Sequence, residues 1–470
     1  MVTMDHLPAD TLVHLDRDSR LGIRAQIEQQ LRRGVRDGRL HGGTRLPSSR
    51  DLATSLGVAR GVVVEAYAQL AAEGWIVSRQ GSGTRVAPAA AAPPADSGEP
   101  WPFDAQHRYD FALGVPDLAS FPRAAWLSAM RRVLRDMPDA RLSHPDPRGA
   151  ATLRAALAAY LGRQRGVVTT ADRIVVTTGF WQGLAVVCSA LAARGSTRLA
   201  MEDPSFVFHR HIAKRAGLEP IPVPVDEGGL RVDLLARTGA DAVLTTPAHQ
   251  SPTGVVMAPE RRTALVAWAQ ETKAILIEDD YDAEYRYDRV PVGALQGLAP
   301  EQVIYGGTAS KTLAPALRLG WVALPSALVR PVAYEKGMAD AGSPVLEQLV
   351  LADLIERGDL DRHLRRTRAL NRRRRDALAD AVAKHLPQAR LSGVAAGLHV
   401  QLDLPAGSDE LAIVSAAAER GVRVEPLGPH RFDTIGAAPA LLLGYAAMSE
   451  QAIRRGVAEL AAAVDVAARR

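Results

Sequence analysis

The chain has 470 residues, 47% of them hydrophobic and 23% charged, with 57 basic against 52 acidic side chains. That length exceeds one ordinary domain, and its 39 glycines and 30 prolines follow no repeat, which excludes collagenous and low-complexity classes. A single cysteine, Cys188, excludes an internal disulfide and a cysteine-rich metal site. The opening "MVTMDHLPADTLVHLDRDSR" has no basic-then-apolar signal pattern, and no run of about 18 apolar residues occurs, so a cytoplasmic chain is expected.

In chain order, Ile23, Ile27, Leu31 and Val35 recur at helical spacing and predict a first amphipathic helix. Ser48 or Ser49 can cap a short second helix, "SRDLATSLG", which Gly57 stops. A third helix follows from about Ala59 to Glu73, and "WIVSRQGSGTRVA" predicts a glycine-tipped hairpin. This is a helix-turn-helix with a wing. The third helix would enter a major groove by its N-terminus, where Arg60 can reach a base edge and Gly61 permits close approach. Arg50 and the hydroxyls of Ser48 and Ser49 suit phosphates, and the wing offers Arg79 and Arg85 beside Gly81, Ser82 and Gly83. Met1 to Val86 carries 12 arginines, no lysine and 9 acids. Periodicity alone leaves a small helical protein-contact domain open as the alternative.

The segment "PAAAAPPADSGEPWP" is low in complexity and predicts a semi-rigid linker over 88–108, between units at 11–87 and 109–470. Beyond it, the apolar runs "RIVVTTG", "DAVLTTP" and "AILIEDD" alternate with amphipathic helices, the pattern of an α/β domain with a mostly parallel sheet. After about Asp340, an Arg-rich helix, "GLHVQLDL" and a last helix predict a smaller α+β subdomain.

Only five of the basic residues are lysines, and one of them, Lys311, lies in "GTASKTLAPALRLGW" among hydroxyls, with Arg318 downstream. A lysine amine that is oriented and lowered in pKa condenses with an aldehyde. The aldehyde cofactor pyridoxal phosphate needs an anion for its ring nitrogen, a donor for its phenolate oxygen, a flat residue on its face and a phosphate cradle. Asp279 or Asp280, at the end of an apolar strand, could supply the anion, with Tyr281 in reach. A solvated acidic loop or a metal-binding carboxylate cluster are the other readings of that run. The strand–glycine–helix junction at Gly179, Phe180 and Trp181 offers free backbone N–H groups to a phosphate, although an ordinary βα turn looks the same. Thr308, Ser310 and Arg318 suit the same phosphate.

Two resemblances carry these readings further. "LPSSRDLATSLGVARGVVVEAYAQLAAEGWIVSRQGSGTRV" resembles the winged helix-turn-helix of the GntR family of bacterial transcription regulators. "DPRGAATLRAALAAYLGRQRGV", "TTGFWQGL", "EDPSF", "HQSPTG", "IEDDYDAEYRY" and "SKTLAPALRLGW" together resemble fold type I aminotransferases. The order of the two resembles the MocR-type, GabR-like, regulators over nearly the whole chain. The resemblance implies that Lys311 forms the internal aldimine with pyridoxal 5'-phosphate, that Asp279 pairs with the ring nitrogen and that Tyr281 contacts the phenolate oxygen. It implies that Phe206 stacks on the ring, and that Gly179, Phe180, Trp181, Thr308, Ser310 and Arg318 hold the phosphate, with His249 and Gln250 on the ring's oxygen side.

It further implies a head-to-tail homodimer, double-stranded promoter DNA as partner, and a small effector, either pyridoxal phosphate itself or an amine or amino acid. Two departures stand out. His144 replaces a tyrosine common before "DP", and Leu442 replaces the arginine that clamps an amino acid's carboxylate. Leucine makes no bidentate contact, so either Arg431 substitutes or the effector is not held as an α-amino acid. The domain is expected to sense rather than turn over, with a working aminotransferase that also binds DNA as the alternative.

Overall fold

The structure, a computed structural model, describes residues 12–79, 83–88, 107–282, 284–287 and 292–469. Gly81, Ser82, the Arg79 side chain and most of the expected linker lie outside the described residues. Two compact units divide the chain, residues 1–104 and 105–470.

In the first unit, α1 (Ile23–Arg36) turns Ile27, Leu31 and Val35 into a core shared with α2 (Ser49–Leu56) and α3 (Arg60–Ala72). Ser48 caps α2: its Oγ accepts from the Asp51 amide at 3.2 Å while donating to the Asp51 carboxylate at 2.6 Å. Gly57 ends that helix in the left-handed conformation at φ 61°, which costs glycine nothing. The wing is the antiparallel pair β1 (Ile76–Arg79) and β2 (Gly83–Val86), registered from Ile76 opposite Val86 to Arg79 opposite Gly83.

The second unit begins with β3 (Tyr109–Asp110), α4 (Arg123–Asp136) and α5 (Ala151–Arg165). Its large sheet uses β4 (Ile174–Thr177), β5 (Arg198–Asp203), β6 (Glu219–Asp226), β7 (Gly229–Leu230), β8 (Ala242–Thr245), β9 (Ile275–Asp280), β10 (Val303–Thr308) and β11 (Gly320–Ala323). Their order is β4-β11-β10-β9-β8-β5-β6-β7. The strands from β10 to β6 run parallel, β11 is antiparallel to both neighbours, and β7 folds back on β6. The helices α6 (Phe180–Ala193), α7 (Val207–Arg215), α8 (Pro259–Thr272), α9 (Val329–Asp340) and α10 (Val345–Glu356) also belong to this part. Two large apolar clusters, one containing Leu157, Val176 and Trp321 and the other Val175, Leu184 and Val322, receive alternate faces of β4 and β11 at one end of the sheet. Continuous apolar runs such as β4, buried at all four positions, follow from burial on both faces.

The remainder forms a smaller α+β part: α11 (Asp359–His385), β12 (Arg390–Ser392), β13 (His399–Asp403), α12 (Glu410–Glu419), β14 (Val422–Arg423), β15 (Glu425–Pro426), β16 (Ala440–Gly444) and α13 (Glu450–Ala467). Its sheet runs β12-β13-β16-β15. Among the described residues no helix is long and apolar enough to cross a membrane.

A buried ion pair ties α5 to the end of β9. Arg165 Nε donates to Asp280 Oδ2 at 2.7 Å, both side chains are 2% exposed, and the Tyr305 hydroxyl donates to the same oxygen at 2.7 Å. Removing one member leaves a charge without its partner in a dry interior. Arg165→Met is therefore expected to destabilise the second unit by about 3–5 kcal/mol, measured as a lower urea midpoint for that unit's transition; an unchanged midpoint would contradict this role.

Candidate cofactor site and candidate DNA-binding face

Parallel strands deliver their C-terminal ends to one edge, and the side chains singled out by sequence gather there. β9 ends in Asp279 and Asp280, in register with Gly306 and Gly307 of β10, and β10 leads through Thr308 to Lys311. Gly306 is required: a Cβ there would stand 2.3 Å from the Phe180 ring. Lys311 is half-buried, and its Nζ donates to the Gly114 carbonyl at 2.8 Å. Burial pushes its pKa below the usual lysine value, against the opposing pull of Asp282, Asp279 and Glu425. Gly114 holds φ 70°, which favours glycine, and a Cβ there would lie 2.2 Å from that amine, so a larger residue would push the amine out of place.

The three aspartates of this run have three different environments. Asp280 is paired with Arg165 and Tyr305. Asp282 faces His249, whose Nδ1 is 3.0 Å from Oδ2, with the Tyr281 hydroxyl 3.1 Å from the same nitrogen. Asp279 is 5% exposed, and its Oδ1 has no hydrogen-bond partner. Burial, then the neighbouring Asp280, hold its carboxyl well above the usual carboxylate range. Among the described residues these aspartates are buried and face separate partners, so they neither form a solvated loop nor converge as metal ligands. Asp279 is a buried anion site that calls for a cationic N–H donor.

His209 was not singled out by sequence. It lies three residues beyond Phe206, near the start of α7, and its Nε2 is 4.0 Å from Asp279 Oδ2. Its ring meets Phe180 and Phe206 edge-on, with centroids 5.5 and 5.4 Å apart. Burial drops its pKa to about 3, so it stands beside Asp279 as a neutral imidazole. Phe206 is packed between His209 and Trp181, the latter 5.8 Å away, and presents a flat apolar face. The i, i+3 spacing of Phe206 and His209 was the available signal.

At the phosphate corner, Gly179 caps α6 with φ 110°, which leaves the first amides of the helix, at Phe180 and Trp181, without carbonyl partners in their own helix. Arg318 reaches the same corner from a left-handed backbone conformation, φ 50°, and its Nη2 would lie 3.1 Å from a Cβ on Gly179. The Thr308 hydroxyl donates to Ser310 Oγ at 3.0 Å, so these hydroxyls already form a pair beside the helix terminus. An N-terminus, a guanidinium and two hydroxyls suit a phosphate dianion, and the vacant acceptor of Asp279 suits a protonated ring nitrogen. The residues present fit pyridoxal phosphate.

On the first unit, Arg60 Nε reaches Ser49 Oγ at 3.5 Å, which joins the start of α3 to the start of α2. Arg50, Arg60 and Gly61 are exposed. Arg85 is tied back to the Gly43 carbonyl at 3.0 Å, whereas Arg45, missed by sequence, lies against the wing with its Nε 3.3 Å from a Cβ on Gly83. Gly83 itself adopts φ 80°.

Protonation provides a test of the His209 environment. Its folded pKa of about 3 lies below the ordinary 6.5, so the unfolded chain takes up a proton that the folded chain refuses. The associated stability is present above the unfolded value and is lost as pH falls. His209→Gln removes this dependence. In cofactor-free protein, the variant's stability relative to wild type should improve by about 2 kcal/mol between pH 7 and pH 5, read from urea midpoints. A constant difference would show that His209 is not buried neutral.

Comparison with known proteins agrees with both halves. Residues 109–460 match the family model for class I and II aminotransferases, and residues 23–86 match that for bacterial regulatory proteins of the gntR family. The chain is 34% identical over 468 residues to the HTH-type pyridoxine biosynthesis transcriptional regulator PdxR of Corynebacterium glutamicum, covering 97% of this chain and 99% of that one. It is 31% identical over 478 residues to the probable rhizopine catabolism regulatory protein MocR of Rhizobium meliloti, covering 96% and 95%. Among solved structures it resembles an archaeal alanine:glyoxylate aminotransferase, with a TM-score of 0.72 and 27% identity over 78% of this chain and 92% of that one. A GntR-type helix-turn-helix followed by a fold type I aminotransferase domain, with such relatives along nearly the whole length, places this chain in the MocR-type family of transcriptional regulators.

Proposed function

We propose that this protein is a pyridoxal phosphate-dependent transcription regulator whose aminotransferase-type domain reports vitamin B6 status to the helix-turn-helix. The observation that carries the reading is Asp279, a buried carboxyl with an unpartnered oxygen, facing the same site as Lys311. When bound, the cofactor supplies an aldehyde that condenses with an amine and a protonated ring that withdraws electrons. Lys311 provides the amine, held at the Gly114 carbonyl. Asp279 would take the ring N–H, with the neutral His209 imidazole 4.0 Å from it. Phe206, packed against His209, would cover one face, and Tyr281, hydrogen-bonded to His249, would stand on the oxygen side. The relative named for pyridoxine biosynthesis supports the choice of signal.

A homodimer that presents two reading heads to paired half-sites belongs to the same proposal. So does coupling by population shift: cofactor changes DNA affinity only to the extent that it binds two conformations unequally. Transamination is the second reading, and Leu442 weighs against it. The side chain is fully buried in an apolar cluster with Leu427 and Ala440, where a carboxylate finds no donor.

The purified protein with added pyridoxal phosphate is expected to gain a visible absorption band that survives dialysis, and Lys311→Ala is expected to lack it. Absence of the band from both proteins would refute the cofactor assignment. DNA affinity should respond to pyridoxal phosphate and not to a panel of amino acids, measured on a fragment enriched by selection with the protein itself; a response only to an amino acid would refute the signal.

For the DNA-binding face, Arg60→Ala should cost about 1–3 kcal/mol on the preferred sequence and relax specificity at one base position. Arg50→Ala should weaken all sequences alike and reduce the salt slope by about 1. Salt-dependent binding isotherms on specific and random duplexes separate the two.

A further inference from the structure

The small sheet turns one of its faces toward Lys311, and the chemistry of that face is legible from its register. On β13, His399, Gln401 and Asp403 alternate onto one side. Gln401 pairs across with Leu442 of β16, and Leu442 pairs in turn with Glu425 of β15. Directly opposed residues share a face, with Cβ atoms about 5 Å apart, so a carboxylate sits beside the position where a guanidinium was expected.

Each polar group on this face is oriented as an acceptor or is neutral. The Gln401 amide nitrogen donates to Asp403 Oδ1 at 2.6 Å, which leaves its Oε1 buried and without a partner. His399 Nε2 is at the Pro252 carbonyl, 3.1 Å away, and burial lowers its pKa to about 4. Glu425 Oε1 accepts from the Leu113 amide at 3.3 Å, and the next residue, Gly114, accepts from Lys311 at 2.8 Å. The acid is thereby fastened to the loop that holds the reactive amine. Of the guanidinium groups that could answer a carboxylate, Arg374 is committed to Asp117 at 2.9 Å, whereas Arg431 gives only Nη2 to the Ala438 carbonyl at 3.3 Å and keeps a buried Nε without a partner, so the like charge of Glu425 opposes it and Arg431→Ala decides between them.

We infer that Glu425 is a specificity-determining residue, and that the pocket before Lys311 admits primary amines without an α-carboxylate, diamines above all, in preference to α-amino acids. This rests on the cofactor reading of the site. A carboxylate entering beside Leu442 meets a like charge and an unpartnered acceptor, whereas an ammonium meets two acceptors. The selection protects the cofactor signal from the cellular amino acid pool.

The test uses the full chain loaded with pyridoxal phosphate and matched ligands that differ only in the carboxylate: ethylamine against L-alanine, and 1,5-diaminopentane against L-lysine. Affinities are read by calorimetry and by displacement of the visible band. The amine of each pair should bind at least about tenfold more tightly, and Glu425→Gln should shrink that ratio by about tenfold while the cofactor band persists. Equal or tighter binding of the amino acids, or a ratio indifferent to Glu425→Gln, overturns the inference. So does tight amino acid binding lost in Arg431→Ala, which would make Arg431 a carboxylate clamp. A chain that never acquires the band refutes the cofactor reading itself, and is recognised before any amine is added.

Discussion

A carboxyl group kept dry and only partly satisfied organises the aminotransferase-type unit. Asp279 reaches that condition because a parallel strand carries it past the apolar core and stops. Its neighbours on the same run are partnered differently, Asp280 by the Arg165 guanidinium and Asp282 by a hydrogen-bond contact with the His249 ring. Alternation along the strand sends adjacent side chains to opposite faces, so one acid can brace the scaffold while the next is spent on the site. Burial of Lys311 close to these charges follows from the same geometry: desolvation favours its neutral amine, and the acids keep that effect from becoming extreme.

The two family halves contribute separable physics. A helix-turn-helix gains affinity from phosphate charge and specificity from a few base edges; an aminotransferase scaffold gains a rigid, water-poor cleft. Regulation requires no turnover from the second. It requires that occupancy of the cleft favour one conformation over another by the difference in binding free energy. A pocket that refuses common substrates suits that purpose better than one that consumes them, and Leu442 beside Glu425 is an arrangement of that kind.

Much of this was readable in the chain. Helical spacing from Ile23 to Val35, the Ser48 cap and Gly57 marked the first unit's elements to within a residue or two. The apolar runs "RIVVTTG", "DAVLTTP" and "AILIEDD" marked β4, β8 and β9, because strands buried on both faces leave an unbroken apolar signature. What could not be read were contacts made across the fold. Gly114 lies 197 positions from Lys311, Glu425 meets Leu113 across 312, and no local pattern announces either. Arg45 escaped notice because its place against the wing depends on a bridge to β2 rather than on its own neighbours. The linker and the wing tip lie outside the described residues.

The scarcity of lysine has a chemical consequence. A DNA-binding surface must be cationic, yet an aldehyde cofactor condenses with any accessible amine. Guanidinium carries charge without that reactivity, since it stays protonated. The first unit uses arginine throughout, and of the four lysines besides Lys311, Lys336 is sealed against Asp340 at 2.6 Å. The protein can thus be basic over its surface and still offer free aldehyde few places to be lost, so that the amount captured at Lys311 tracks the supply in solution and not the protein's own appetite for it.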